Sequence, residues 1–402
     1  MGTESLRPPL TGIGNYTLNL LKEFQTLPFV DAVDCFNGDR FSPASEVLTA
    51  HDCSTQPVSG VSPSGGWKTA LRGSLRSLPL AYRLKAAWSE SRFRQGSRVR
   101  QDYVYHEPNF ILKPHDGPSV TTVHDLSFVS HPEFHPAERV AWLNRQLPRT
   151  LDGADFVITD SELVRTQLIR QFSVAPDRVA AIYLGADSRF VPRAEDATKS
   201  VLAKYDLVHG RYLAFVGTIE PRKGLSVLLD AWERLPAVLR RNWSLVIAGA
   251  PGWRNTELMG RILALQAKGE VLFLQFVPSD DLPFIYAGAV TFVYPSIYEG
   301  FGLPVLEAMT SGVPVICGDG TSMAEFADGA CRLFDVGDAG ALALAISELI
   351  EDPTLRSRMA DDGLDRASQF SWSRCAQETL QAYVKASSSA NQGINRINGR
   401  RG

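Results

Sequence analysis

The stretch from Val293 to Cys317 leaves little choice of fold. It reads V-Y-P-S-I-Y-E-G-F-G-L-P-V-L-E-A-M-T-S-G-V-P-V-I-C. An apolar run ending at Tyr294 has the character of a buried strand. Pro295, Gly300 and Gly302 break it. Pro304 suits the first position of a helix, where its missing N–H would be unpaired anyway. Val305, Leu306, Ala308 and Met309 continue the helix, Gly312 ends it, and Val313 to Cys317 reads as another strand. A glycine loop therefore delivers the chain into a helix N-terminus. Free N–H groups and the positive end of the helix dipole make that point an anion site, at Gly300, Phe301, Gly302 and Leu303. Glu299 stands just before it and Glu307 one turn inside the helix. An anion site flanked by two carboxylates suits a ligand carrying both phosphate and hydroxyls, such as a nucleotide-sugar. The alternative is a solvent-facing Glu and a helix-stabilising Glu in an ordinary α/β unit.

The same pattern recurs along the chain. Strand and helix alternate, which implies parallel sheets. Thr11-Gly12-Ile13-Gly14-Asn15 is a glycine turn opening a helix, a second place for phosphate to meet backbone N–H groups, or else a plain helix cap. Thr17 stands where a dinucleotide fingerprint would have its third glycine, which disfavours an NAD enzyme. Met1 to Leu10 has two prolines and no β-branched or aromatic run. Proline is excluded from central strands, so the strand expected before the turn is expected to be missing, as after a misplaced translation start. The neighbours of a lost central strand would be left with unpaired edges. Phe29 to Phe36 reads as a strand and Asn37 to Gly66 as a long surface loop. Ser119 to Val123 is a strand ending at His124-Asp125, and the carboxyl ends of strands line the crevice of an open α/β sheet. His124 is thus a ligand candidate, or a structural histidine capping the next turn. Ala141 to Leu147 reads as a short helix that Pro148 ends or kinks. Ser161 caps the next helix, and Arg165 on it is a weak candidate for the cleft. Tyr212 to Val216 is a strand followed by Gly217-Thr218-Ile219-Glu220-Pro221-Arg222-Lys223-Gly224. Arg222 and Lys223 at a strand's carboxyl end suit a pyrophosphate, since Arg grips two oxygens and Lys acts as a point charge. As a dipeptide alone, they could equally be solvent-facing charges in a turn. Gly249 follows the strand Trp243–Ala248, and Val277 follows the strand Val271–Phe276.

A chain of 402 residues fits two domains. Apolar content of 44% and charged content of 21% are ordinary for a soluble protein. No run has the length of a membrane span, and Met1 to Leu10 has no signal-peptide core. The five cysteines are scattered, without metal-ligand spacing, which suits a reducing cytosol. No Asp-x-Asp occurs, so no divalent metal and no cofactor is expected. Trp67 to Arg100 is strongly basic, with Leu and Trp interleaved. It suits an anionic membrane surface, a solvated helical hairpin or, less well, nucleic acid, for which no binding module accompanies the charge.

The string P-S-x-x-E-G-F-G-L-P-x-x-E-A-M-x-x-G-x-P-V-I resembles the E-x7-E signature of retaining glycosyltransferases of family 4, which have the GT-B fold. The resemblance runs from Thr11 to Ala386 and is strongest from Tyr212 to Ile316. It implies two doubly wound, Rossmann-like parallel-sheet domains facing across a cleft: residues 1–190 for the acceptor, a linker at 191–208, 209–371 for the nucleotide-sugar, a helix at 372–386 crossing back, and a disordered tail at 387–402. It implies transfer of a hexose with retention and without metal. Arg222 and Lys223 would stabilise the leaving diphosphate, Glu299 would bind sugar hydroxyls, Glu307 the ribose, and His124 the sugar from across the cleft. Gly12 and Gly14 would face the donor phosphates and the acceptor, Gly217 would belong to the donor site, Gly249 would let backbone approach the nucleotide, and backbone near Val277 would contact the base. The mechanism proposed for the family is a front-face displacement, in which neither Glu299 nor Glu307 is a nucleophile. Ser127 to Val140 resembles members that build mannose- or rhamnose-containing polysaccharides, which points to GDP-mannose or a related GDP-sugar. A saccharide or lipid-linked acceptor and a cytoplasmic site, peripheral on the inner face of the plasma membrane, are expected. Where relatives carry P-E-V-x-G after Cys317, this chain keeps only Glu325. The alternatives are a GT-B sugar-nucleotide epimerase or hydrolase, or an impaired nucleotide-binding protein without its first strand.

Overall fold

The computed structural model describes residues 1–7, 10–55, 79–253 and 255–398. Two parallel sheets organise the chain. The first contains β3 (Tyr105–Glu107), β4 (Ser119–Val123), β5 (Phe156–Thr159) and β6 (Val179–Ala181) in that order, while β1 (Asp34–Phe36) and β2 (Phe41–Pro43) form an antiparallel pair. The second contains β7 (Tyr212–Val216), β8 (Ser244–Ala248), β9 (Val271–Gln275), β10 (Thr291–Tyr294), β11 (Val315–Gly318) and β12 (Arg332–Phe334), in the order β12-β11-β10-β7-β8-β9. The strand order reverses between β7 and β10, which run parallel and whose carboxyl ends lead to Arg222-Lys223 and Glu299. Ligands bind at such switch points in open sheets. β4, β5, β10 and β11 are buried throughout, as expected for strands covered by helices on both faces.

The helices that matter for the site are α1 (Gly12–Phe24), α2 (Ala137–Gly153), α3 (Glu162–Phe172), α4 (Glu195–Leu202), α5 (Leu225–Arg234), α6 (Leu303–Thr310), α7 (Ser322–Ala327) and α8 (Trp372–Asn398). Helix α8 leaves the second domain and packs on α1, β4 and β5 of the first. One apolar cluster, from Leu20 and Ile158 to Phe292 and Leu349, runs through both halves.

The amino-terminal residues depart from the sequence expectation. Met1 to Thr3 occupy the place of a first strand between β1 and β3. Gly2 N donates to His106 O at 2.9 Å, Phe36 N to Met1 O at 2.9 Å and Thr3 N to Phe36 O at 2.8 Å. Three residues need only backbone donors and acceptors to pair, so their poor strand propensity does not matter. Phe29–Phe36 contributes a strand only at Asp34–Phe36, and the expected loop 37–66 holds β2 and a helix, Ala44–Thr55, before the described residues stop. Of the basic Trp67–Arg100 segment, residues 67–78 lie outside the described residues, and Pro79–Ser97 is helical.

Pro148 neither ends nor bounds its helix, since α2 runs from Ala137 to Gly153. A mid-helix proline costs about 3 kcal/mol. Leu143, Leu147 and Leu151 are buried on one face of α2 and hold it together across the break. The expected linker at 191–208 contains α4, whose Leu202 is fully buried and which packs beside Leu282–Ala287 of the second domain. The expected disordered tail continues α8 through Asn398, with the Ser387 and Ser388 hydroxyls donating to the carbonyls of Tyr383 and Val384. Residues 399–402 lie outside the described residues.

Candidate active site

The strand–loop–helix unit at Val293–Cys317 builds the centre of the site. β10 ends at Tyr294, the chain loops over, and α6 starts at Leu303. Gly302 precedes α6 at φ +106°, where a side chain would also strike Met323. Only glycine turns the loop there without strain. Gly300 meets the other half of the molecule, because a Cβ would collide with the carbonyl oxygen of His124. The loop at Glu299–Gly302 and the β4 terminus are therefore in backbone contact.

Four charges lie together under this loop. The Glu299 carboxylate accepts from Arg222 Nη1 at 2.8 Å on one oxygen and from Lys223 Nζ and Ser296 Oγ, both at 2.6 Å, on the other. Tyr294 OH adds a bond at 3.1 Å. Arg222 Nη1 also donates to Tyr298 O at 2.8 Å, and its Nη2 pairs with Glu220 at 2.9 Å. One guanidinium thus bridges two carboxylates. Burial raises the Glu299 carboxyl, but Arg222 and Lys223 overcome it and bring it down to about 2. Burial lowers the Lys223 ammonium despite Glu299, and burial raises Glu220 against the pull of Arg222 and Lys223. Two cations and two anions give no net charge. Arg222 Nε and Glu220 Oε2 are buried without hydrogen-bond partners.

Glu307 lies apart from this cluster. It accepts from Tyr286 OH at 2.9 Å. Burial lifts its carboxyl to about 7, with Asp187 adding to the rise while the Tyr286 bond and Arg189 oppose it. Arg189 reaches from Asp187 to Asp280 at 3.0 Å, between the end of the first domain and the loop after β9. That loop carries Val277, which is buried. Gly249, at φ +155°, follows β8, and a side chain there would collide with the Gly217 carbonyl oxygen, so these two predicted donor residues pack backbone to backbone. Phe301 is buried and stacks on Phe326 with ring centroids 4.5 Å apart, and Leu303 is half-buried at the start of α6. Gly12 and Gly14 lie in the first turn of α1, where Thr11 caps the Gly14 N–H at 3.5 Å.

His124 is buried at the end of β4, and both ring nitrogens have partners inside the first domain. Nε2 meets the carbonyl of Pro108 at 2.7 Å and must carry hydrogen, since a carbonyl only accepts. Nδ1 meets Asp160 at 2.7 Å. Burial disfavours the imidazolium, yet Asp160 and Pro108 together raise it. Tyr16 sets its edge against the ring at 4.9 Å. What His124 presents to the second domain is its carbonyl, against Gly300. Arg165 ties α3 to the carbonyls of Pro176 and Val179, away from the charge cluster.

Sequence reasoning gave no role to Glu220, Ser296, Tyr298 or Asp160. Asp160 follows β5 directly, so the carboxyl-end rule that selected His124 also selects it. Glu220 is inside the G-T-I-E-P-R-K-G string, where its charge next to two cations was the signal. Tyr298 left no signal. Its hydroxyl crosses the cleft, accepting from Leu126 N at 3.1 Å and donating to Gln167 at 2.5 Å. Trp253 crosses too, donating from Nε1 to Phe134 O at 2.6 Å. Among the described residues no cluster of three or more His, Cys, Asp or Glu has a metal-binding arrangement, and no helix is long and apolar enough to cross a membrane.

Residues 10–190 match the model of Glycosyltransferase Family 4 and residues 204–366 that of Glycosyl transferases group 1. The chain is 37% identical over 388 residues to the O-antigen chain mannosyltransferase B of Escherichia coli, covering 95% of this chain and 98% of that one. WaaG, a glycosyltransferase involved in lipopolysaccharide biosynthesis, has a crystal structure that superposes with a TM-score of 0.65 at 15% identity, covering 92% of this chain and 95% of that one. HepE of Anabaena, in complex with UDP and glucose, superposes with a TM-score of 0.63 at 20% identity and the same coverage. The two-sheet architecture is that of the GT-B glycosyltransferases, and this chain belongs to glycosyltransferase family 4.

Proposed function

We propose that this glycosyltransferase moves a mannosyl group from GDP-mannose, or a closely related GDP-sugar, to a saccharide or lipid-linked saccharide during cell-surface polysaccharide synthesis. Transfer retains the anomeric configuration and needs no metal. The observation that carries the reading is the Glu220–Arg222–Glu299–Lys223 cluster at the switch point of the second sheet. The similarity to an O-antigen mannosyltransferase supports the choice of mannose.

Arg222 and Lys223 neutralise charge that builds on the leaving diphosphate, the work a divalent ion would otherwise do. Glu299 stays ionised at every working pH, so it does not serve as a general acid. Its oxygens are held by Arg222, Lys223, Ser296 and Tyr294, which suits a rigid acceptor for sugar hydroxyls better than a free nucleophile. Glu307, beside Tyr286, takes the ribose hydroxyls. His124 orients the segment facing the sugar through its bonds to Pro108 and Asp160. The basic helix Pro79–Ser97 exposes Trp88, with Arg92 6.0 Å from its ring. This suits peripheral contact with an anionic membrane, to be read as salt-sensitive binding to liposomes.

Thermal stabilisation by GDP, UDP and ADP, followed by a transfer assay in EDTA with proton NMR of the product, tests the reading. It predicts a shift with GDP, full activity in EDTA and an α-linked product from an α-donor. An inverted product, loss of activity in EDTA, or sugar epimerised or released to water in place of transfer would overturn it.

A further inference from the structure

Glu325, a carboxylate of the second domain, is bound by backbone N–H groups of the first. Glu325, on α7, accepts from Glu162 N at 2.7 Å and Tyr183 OH at 2.7 Å on one oxygen, and from Leu163 N at 2.9 Å on the other. Glu162 and Leu163 open α3, whose first-turn N–H groups have no partners within the helix. Its own cap, Ser161, serves only Val164 N, at 3.3 Å. The carboxylate that caps these N–H groups therefore comes from the opposite domain, adding to the helix's own Glu162 a second negative charge where the helix dipole favours it.

The helix that carries Glu325 also holds the donor loop. Ser322 Oγ donates to the carbonyls of Glu299 at 2.9 Å and Phe301 at 3.0 Å. Phe326 stacks on Phe301 with an interplanar angle of 21°. Tyr183 lies over the same aromatic group, 6.1 Å from Phe301 and 5.6 Å from Phe370. A six-residue helix thus joins the loop bearing Glu299 to the domain bearing His124.

We propose that Glu325 is a positioning residue that latches the cleft closed. By capping α3 it sets the donor loop in register with the His124 carbonyl, which Gly300 can approach only in the closed arrangement. In the open form, the α3 N–H groups and the Glu325 carboxylate exchange each other for water, so the latch biases closure reversibly. Its kinetic part rests on the glycosyl-transfer reading above; its structural part does not.

The test compares Glu325→Gln, Glu325→Asp and Tyr183→Phe with wild type by small-angle scattering without ligand, GDP titration and steady-state transfer. Glu325→Gln keeps the shape but sets an NH2 group against N–H donors. The latch predicts a larger radius of gyration for Glu325→Gln and a kcat lower by about tenfold or more. GDP affinity should hold within about threefold, because the nucleotide contacts of the second domain are untouched. Tyr183→Phe, which removes one of three bonds, should fall between the two, and Glu325→Asp should recover part of the loss. An unchanged radius and kcat with only a lower melting temperature would overturn the latch, as would an equal loss of kcat and GDP affinity. If wild type transfers nothing from GDP-sugars, the transfer reading fails while the scattering result still decides the latch.

Discussion

Arg222 is the residue on which the charge cluster turns. Its two terminal nitrogens serve different carboxylates, Glu299 and Glu220, and a lysine reaches only one. Arg222→Lys should therefore lower kcat/KM by about ten- to a hundredfold with net charge preserved, as a charge-assisted bond of about 1.5–3 kcal/mol requires. Arg222→Ala leaves both carboxylates short of a partner and should also reduce stability by about 3 kcal/mol, read in urea unfolding. Glu307 makes the pH prediction. Its native carboxyl near 7 lies above the ordinary value of 4.5, so the native state holds a proton that the unfolded state has released. Stability should therefore fall as pH rises from 4.5 to 7, by up to about 1.4 kcal/mol per unit. Glu307→Gln should flatten that slope. If ionised Glu307 accepts from ribose, donor KM should improve through the same range in wild type and not in the variant. Glu299 has the opposite sign. Its depressed pKa gives stability that is complete above 4.5 and is lost as pH falls toward about 2.

At the scale of elements, the β10–loop–α6 unit was legible because its glycines and prolines are positional. Gly302 needs a left-handed φ for a local reason that the loop-to-helix turn imposes, whereas Gly300 lacks a side chain because the His124 carbonyl of the other domain packs against it. Gly300→Ala should push the loop from the His124 carbonyl, raising donor KM and lowering kcat together, with little change in melting temperature. A variant with wild-type kinetics would show that this approach does not matter for turnover. The elements misread from sequence failed for identifiable reasons. α2 passes Pro148 because its leucines hold both sides of the break. α4 reads as linker because its charged face hides two deeply buried residues, of which only Leu202 is apolar. Met1 to Thr3 pair as a strand through backbone alone, which propensity does not report.

At the scale of the molecule, the two-domain GT-B plan followed from alternating strands and helices together with the E-x7-E string. What the sequence could not reveal is how the halves meet. Tyr298 on Leu126 and Gln167, Trp253 on Phe134, and Glu325 on α3 are contacts between residues distant in sequence. No local spacing encodes them. They make closure a distributed property, so a single cross-cleft substitution should weaken closure without unfolding either domain. For the same reason Glu299, 77 residues from Arg222, joins the cluster only in three dimensions, whereas Glu220 stands beside both cations in the sequence.

Arg222, Lys223 and Glu299 are together proposed to bind and activate a GDP-sugar. The most direct test is transfer of labelled mannose from GDP-mannose by wild type, Arg222→Lys and Glu299→Gln, with GDP affinity measured on the same samples by calorimetry. Transfer by wild type in EDTA is predicted. Glu299→Gln should lose transfer by about a hundredfold while binding GDP as well as or better than wild type, since removing one anion frees both cations for phosphate. Arg222→Lys should lose both transfer and GDP affinity. Undiminished transfer by Glu299→Gln, or GDP affinity indifferent to Arg222, would contradict the account.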